Sequence, residues 1–194
     1  AFSYTMCCTF LVQIVYGAVS FVAIAMTITA MVTPGWTTYS YEDSVEQISQ
    51  GIFPWTCSLP GDTPSTNPFS WSSCADWYDN LPTSEKVVVA CMCIALLLEA
   101  VCFVYNIFTI CACCCKQYLI HPLSAFTIGA IIFLAVSIII YAIDNKNYIE
   151  LTNPDFLSSD SYSYSFWLTV GALILNVINT IVAGTAIFCA ETCC

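Results

Sequence analysis

Cysteine is the residue type in this sequence whose positions point most directly to chemistry. Fourteen of the 194 residues are cysteines, and only Cys57 and Cys74 lie in the long polar segment of the chain. Two isolated cysteines in a polar segment are typical of an oxidising compartment, where disulfides form and persist. A Cys57–Cys74 disulfide would close a loop of 16 intervening residues and stabilise it by roughly 3 kcal/mol. We expect this disulfide to be structural; two free thiols are the alternative.

Most of the other cysteines gather at the opposite edge of the apolar runs, as expected on a reducing face. Juxtamembrane cysteines are typical palmitoylation sites, and the candidates are Cys111, Cys113, Cys114, Cys115, Cys189, Cys193 and Cys194. Inert interfacial thiols are a second interpretation. A third is a metal site that combines CACCC (111–115) with His121, but adjacent cysteines lack the paired spacing of zinc sites. We therefore expect palmitoylation and no metal.

A single acid, Glu99, falls in the middle of an apolar run that is long enough to cross a membrane. Counted from Val87 at 1.5 Å per helical residue, it lies about 18 Å below the outer membrane surface. An acid at that depth is a candidate functional residue. Asn176 and Asn179 share one face of a later run at about 15–20 Å depth, and Gln13 and Asn106 share a depth nearer the other edge. These residues predict interhelical hydrogen bonds that fix packing. A proton or ion path is the alternative, and such a path usually needs several acids.

Composition and motifs exclude several classes of protein. The chain is 59% hydrophobic and 8% charged, and its net charge is −10, so neither nucleic acid nor an anionic lipid surface is an expected partner. The sequence contains one histidine and no catalytic triad, glycine-rich phosphate loop or HExxH motif. We predict a protein that is not an enzyme, has no catalytic residues and binds no cofactor.

Four apolar runs must position these residues, and they cover 8–32, 87–111, 123–143 and 166–189. Each exceeds the roughly 18–20 residues that a helix needs to cross a bilayer. We predict one all-α domain over 1–194, a bundle of four transmembrane helices. The connecting segments are loop 1 (33–86), a short loop (112–122) and loop 2 (144–165). Four spans place both termini on one side, and the cysteine distribution makes that side cytoplasmic and the long loops extracellular.

Loop 1 is predicted to form a small β-rich ectodomain. WTTYSYEDSV (36–45) has the alternation of a strand. GIFPWTC (51–57) offers a second strand, which Pro54 restricts to an edge or a bulge. A unit of about 50 residues cannot bury a sufficient core alone. We therefore expect it to depend on the disulfide and on docking against the helices.

Small residues recur four positions apart within the apolar runs. The pairs are Ala25 with Thr29, Ala125 with Gly129, and Thr180 with Gly184. Such spacing allows helices to approach closely. We expect the pairs to serve packing within the chain rather than dimerisation.

Several of these features resemble the claudin superfamily of four-pass membrane proteins. The residues that resemble the claudin W…GLW…C…C signature are Trp36, Gly51, Phe53, Trp55, Cys57 and Cys74. WYDNLP (77–82) is similar to the segment that leads claudins into their second span. Asn153, Pro154 and YSFW (164–167) resemble features that precede the fourth span. The last stretch is also similar to the calcium-channel γ subunits and AMPA-receptor regulatory proteins of the same superfamily.

The resemblance implies a left-handed four-helix bundle that carries an antiparallel extracellular sheet pinned by Cys57–Cys74. It also implies that Trp36, with Phe53 or Trp55, wedges the sheet onto the outer ends of the helices. Tryptophan suits that position because a large apolar ring carries one N–H group for the wet boundary.

The resemblance further implies a junction or adhesion protein of the plasma membrane. Such a protein contacts membrane lipids and same-family proteins in cis or in trans, and contributes to a paracellular barrier or pore. The alternative is an auxiliary subunit of an ion channel or receptor complex, and a transporter is a more distant third.

Loop 1 carries six acids without a basic counterpart before Glu85, namely Glu42, Asp43, Glu46, Asp62, Asp76 and Asp79. Such a surface favours cations in a narrow gap, or it is only a solvated acidic face. The candidate selectivity residues are Asp76, Asp79, Glu42 and Asp43. The candidate partner-contact residues are Trp71, Trp77, Tyr78, Asn153 and Pro154. Exposed aromatic residues concentrate at interfaces, although the three aromatic residues would equally suit the core of the ectodomain.

Overall fold

Four long helices and one β-hairpin form the described part of the chain. The computed structural model describes residues 2–33, 36–40, 47–50, 78–79, 81–111, 121–152, 162 and 164–192. The elements are α1 (Phe2–Val32), β1 (Thr37–Ser40), β2 (Gln47–Gln50), α2 (Thr83–Cys111), α3 (His121–Thr152) and α4 (Tyr164–Thr192).

All four helices are long and apolar enough to cross a membrane. The apolar stretches are Phe10–Val32, Thr83–Ile110, Pro122–Asp144 and Tyr164–Thr185, and they contain 22 to 28 residues. About 20 residues of helix cover the hydrocarbon core of a bilayer. The chain is therefore a multi-pass membrane protein.

The helices extend beyond the predicted apolar runs. Helix α1 begins at Phe2 rather than near residue 8, and helix α3 continues to Thr152 rather than ending near 143. Backbone hydrogen bonds carry a helix on into polar sequence, whereas hydropathy marks only the part that suits hydrocarbon. The ends of the helices are thus more polar than their centres.

The helices pack as a four-membered ring. Helix α1 contacts α4 and α2, and helix α3 contacts α2 and α4. The α1–α4 and α2–α3 contacts are the more extensive pairs. Each helix therefore has two neighbours, which is the arrangement of a four-helix bundle.

Buried positions recur along every helix at alternating intervals of three and four residues. On α1 they are Gln13, Tyr16, Ser20, Ala23, Thr27 and Ala30. The matching positions on α2, α3 and α4 run from Val88 to Thr109, from Leu123 to Tyr141 and from Ser165 to Ala183. This period of 3.5 residues is typical of left-handed bundles. Many of these buried side chains are small or polar, as is common where membrane helices meet.

Glycine allows close approach at three helix contacts. A Cβ added at Gly17 would lie 2.9 Å from Asn106 Nδ2, one added at Gly129 would lie 3.1 Å from Leu98 Cδ1, and one added at Gly171 would meet the terminal methyl group of Met26. Gly129 thus serves the α3–α2 contact. Two other predicted small-residue positions do not serve contacts: Thr29 is exposed, and a Cβ at Gly184 would meet no atom within 4 Å. Four-residue spacing places residues on one face, but it does not say which way that face points.

We expect Gly17→Ala to destabilise the bundle by about 1–3 kcal/mol, the usual cost of overpacking. The new methyl group would displace the Asn106 amide, which donates to the carbonyl of Gln13. The matched control is Gly184→Ala, where a methyl group meets open space and the higher helix propensity of alanine is expected to stabilise the helix by up to about 1 kcal/mol. Unfolding in detergent micelles with increasing SDS measures both changes. Equal effects of the two substitutions would contradict the close approach at Gly17.

Strands β1 and β2 form an antiparallel hairpin next to the C-terminal end of α1. The register pairs Thr37 with Gln50 and Ser40 with Gln47. Strand β1 lies within the predicted strand 36–45, whereas its partner precedes the predicted second strand, 51–57, which lies outside the described residues. Beyond this hairpin, the β-rich ectodomain remains a prediction.

Candidate functional site

Trp36 joins the membrane helices to the hairpin. It follows α1 by four residues and directly precedes β1, and its side chain is 1% exposed. Its indole Nε1 donates a hydrogen bond of 2.7 Å to the carbonyl of Ala30. The last turn of α1 thus satisfies the one polar atom of a large buried ring.

Aromatic side chains of α3 and α4 surround Trp36. The Trp36 ring centroid lies 4.8 Å from that of Tyr141 in an edge-to-face arrangement and 6.4 Å from that of Phe166. Tyr162 stacks on Phe166 with centroids 4.5 Å apart. We call Trp36, Tyr141, Tyr162 and Phe166 the Trp36 anchor. It fixes the start of β1 against three helices. The other predicted anchor residues, Gly51, Phe53 and Trp55, lie outside the described residues.

The segment before α2 is tied to the first turn of that helix. Lys86 Nζ donates a hydrogen bond of 2.9 Å to the carbonyl of Asp79 and lies 5.8 Å from the ring centroid of Tyr78. Ser84 Oγ donates to Asp144 Oδ2 over 2.9 Å and thereby links α2 to α3. Tyr78 and Asp79 are exposed, so both face the surroundings at this end of the bundle.

Glu99 lies at the centre of the bundle, where α1, α2 and α4 meet. Its side chain is 4% exposed. Its Oε1 atom accepts a hydrogen bond of 2.6 Å from Asn176 Nδ2 and one of 3.3 Å from Thr27 Oγ1. An amide and a hydroxyl, rather than a lysine, are therefore its partners within the described helices.

Two further groups of hydrogen bonds continue from Glu99 along the bundle. Asn179 Nδ2 donates to Ser20 Oγ over 2.7 Å. The Tyr16 hydroxyl lies 2.7 Å from both Cys102 Sγ and Thr127 Oγ1. These bonds connect α1 to α4, α2 and α3, so polar contacts reach all four helices.

The last group lies nearer the end of the bundle where α1 begins and α2 ends. Asn106 Nδ2 donates a hydrogen bond of 3.2 Å to the backbone carbonyl of Gln13. Both side chains are buried. We call the whole set the polar seam, and its members are Gln13, Tyr16, Ser20, Thr27, Glu99, Cys102, Asn106, Thr127, Asn176 and Asn179.

The structure separates two residues that the sequence analysis grouped with Glu99. Asn176 contacts Glu99, whereas Asn179 contacts Ser20. Five seam residues are not among those predicted from the sequence, namely Tyr16, Ser20, Thr27, Cys102 and Thr127. Tyr16, Ser20 and Thr27 could have been found from the sequence. Together with Gln13 they are spaced along α1 with the 3.5-residue period of a bundle.

Within the described helices, the polar seam supplies hydrogen-bonding groups and one carboxyl group, that of Glu99. No cluster of three metal-ligating side chains occurs in the described ranges. The partners of Glu99 are an amide and a hydroxyl, and the bonds of the seam link all four helices.

Many predicted site residues lie outside the described residues. These are the cysteines Cys57, Cys74, Cys113, Cys114, Cys115, Cys193 and Cys194, the acids Glu42, Asp43 and Asp76, and Trp71, Trp77, Asn153 and Pro154. Cys111 and Cys189 belong to the last residues of α2 and α4, and their side chains are not described. The disulfide, the palmitoylation sites and the selectivity residues therefore remain predictions.

A four-helix membrane bundle with a hairpin anchored by a buried tryptophan defines a class of four-pass membrane proteins. The family model described as tight junction protein, claudin-like, matches residues 6–194. That match covers nearly the whole sequence, so the chain belongs to the claudin-like tight junction family. No curated protein matches the chain closely enough to count as a relative.

Proposed function

We propose that this claudin-like membrane protein is a non-enzymatic junction or adhesion protein that contributes to a paracellular barrier or a cation-favouring pore. The observation that carries the proposal is the family match over residues 6–194. The Trp36 anchor supports it, because a hairpin fixed to three helices would present loop 1 in one orientation. Partners would be membrane lipids and same-family proteins on the same or an adjacent cell.

This function requires the hairpin to face the extracellular side and both termini to face the cytoplasm. The proposed Cys57–Cys74 disulfide would then form in the oxidising compartment. The cysteines near residues 111–115 and 189–194 would lie where palmitoylation occurs.

Expression in cells that lack junctions tests the proposal. We expect strands at cell contacts in freeze-fracture images and increased adhesion between expressing cells. A chain that instead co-purifies from native membranes with an ion channel or receptor at fixed stoichiometry, and forms no strands, would replace the proposal with an auxiliary-subunit role.

Charge selectivity gives a sharper prediction. We expect the double substitution Asp76→Asn with Asp79→Asn to lower the sodium-to-chloride permeability ratio several-fold, because an exposed charge near a passing ion contributes about 1 kcal/mol. Dilution potentials across monolayers measure this ratio. The control is Glu191→Gln in the last turn of α4, where the proposed topology places the acid on the cytoplasmic side.

An unchanged ratio in the double variant, with normal strands, would show that the acids only form a solvated face. A similar loss in Glu191→Gln would contradict the proposed topology.

A further inference from the structure

A small cavity opens within the polar seam. Polar side chains line it, among them Tyr16, Ser20, Glu99, Thr127 and Asn179. The space open to the centre of a water-sized molecule is about 10 Å³. One ordered water molecule needs about that much room and two to four polar partners.

Two acceptor atoms of the lining residues lack a donor among the described side chains. They are Glu99 Oε2 and Asn179 Oδ1. Both residues are more than nine-tenths buried, with exposures of 4% and 1%. The other polar atom of each side chain is already engaged, with Asn176 and with Ser20. Buried acceptors without a donor are costly, so both oxygens require one.

The neighbouring hydroxyls cannot supply these donors. Thr127 Oγ1 donates to the carbonyl of Leu123 over 2.8 Å, so the Tyr16 hydroxyl must donate in its 2.7 Å contact with Thr127. Each hydroxyl has one hydrogen, and both hydrogens are thus in use. The Ser20 hydroxyl accepts from Asn179 and also bonds to the Tyr16 hydroxyl. Because Tyr16 already donates to Thr127, Ser20 is the donor to Tyr16, and its one hydrogen is also in use.

We infer that this cavity binds one water molecule, which donates to Glu99 Oε2 and Asn179 Oδ1. The water completes the hydrogen bonding of the seam, and it joins α2 and α4 at a point where Glu99 and Asn179 form no direct bond. The inferred site goes beyond the proposed function and does not depend on it.

An experimental structure at about 2 Å, with the full chain in lipid nanodiscs, tests the site. We expect a density peak within about 2.5–3.0 Å of both oxygens. Ser20→Val should fill the cavity and remove the peak. Ser137→Val is the control, because Ser137 is buried but its hydroxyl bonds to the Phe133 carbonyl of its own helix. A direct contact between Glu99 Oε2 and Asn179 Oδ1 without a peak would overturn the inference.

Thermal unfolding in detergent provides a second, independent measurement. A water molecule predicts the same unfolding midpoint in sodium, potassium and choline chloride at equal ionic strength. A rise of several degrees specific to sodium, lost in Glu99→Gln, would show that a cation occupies the cavity and would overturn the inference.

Discussion

Trp36→Ala is expected to destabilise the protein by about 3–5 kcal/mol, the usual cost of deleting a large buried aromatic side chain. Trp36 is 1% exposed and packs on Tyr141 and Phe166. Its removal also leaves the Ala30 carbonyl without the indole donor. At this cost we expect loss of surface delivery in cells, together with a large shift of the SDS unfolding midpoint.

Trp167→Ala is the matched control for this prediction. Trp167 belongs to the same end of the bundle, but its side chain is 60% exposed. The expected cost is below about 1 kcal/mol. Trp36→Phe should fall between the two, because it keeps most of the ring contacts but loses part of the ring and the hydrogen bond, the latter worth about 1 kcal/mol. Equal stability of the Trp36→Ala and Trp167→Ala variants would refute the role assigned to the Trp36 anchor.

Asn176→Leu is expected to destabilise the bundle by about 1–3 kcal/mol. It removes the nearest donor to Glu99 Oε1, at 2.6 Å, and leaves the carboxyl group with the weaker 3.3 Å contact from Thr27. Substitution of the other partner, Glu99→Leu, should destabilise the bundle less. Asn176 Nδ2 still donates to the carbonyl of Ala172 over 2.9 Å within its own helix.

This asymmetry predicts the result of a double-mutant cycle. The Glu99→Leu, Asn176→Leu double variant should be more stable than Asn176→Leu alone, because no buried carboxyl group then lacks its donor. Thr29→Val serves as the control, since Thr29 is exposed and bonds to the Ala25 carbonyl of its own helix. Additive costs in the cycle would show that Glu99 and Asn176 do not interact.

Much of the bundle could be predicted because hydropathy depends on composition alone. Four runs long enough to cross a bilayer predict four helices, and the structure contains four helices that meet the same criterion. Depth within the membrane also follows from counting residues, since every residue adds 1.5 Å. Glu99 and Asn176 share a depth for that reason.

The rotation of each helix could not be predicted in the same way. It decides that Asn176 faces Glu99 whereas Asn179 faces Ser20, and it turns Thr29 outwards. Rotation depends on how neighbouring helices pack, and single residues four apart do not specify it. The alternating three- and four-residue spacing of Gln13, Tyr16 and Ser20 carries this information, but only when polar residues are counted together with small ones.

The extensive contact between α1 and α4 has a consequence for biosynthesis. Translation makes α1 first and α4 last, and 131 residues separate Val32 from Tyr164. At about 5–20 residues per second, that interval is on the order of ten seconds. During it, Ser20 faces lipid or another helix without Asn179, its partner in the finished protein. A chain that stops before α4 therefore leaves Ser20 in the membrane without the partner that α4 supplies.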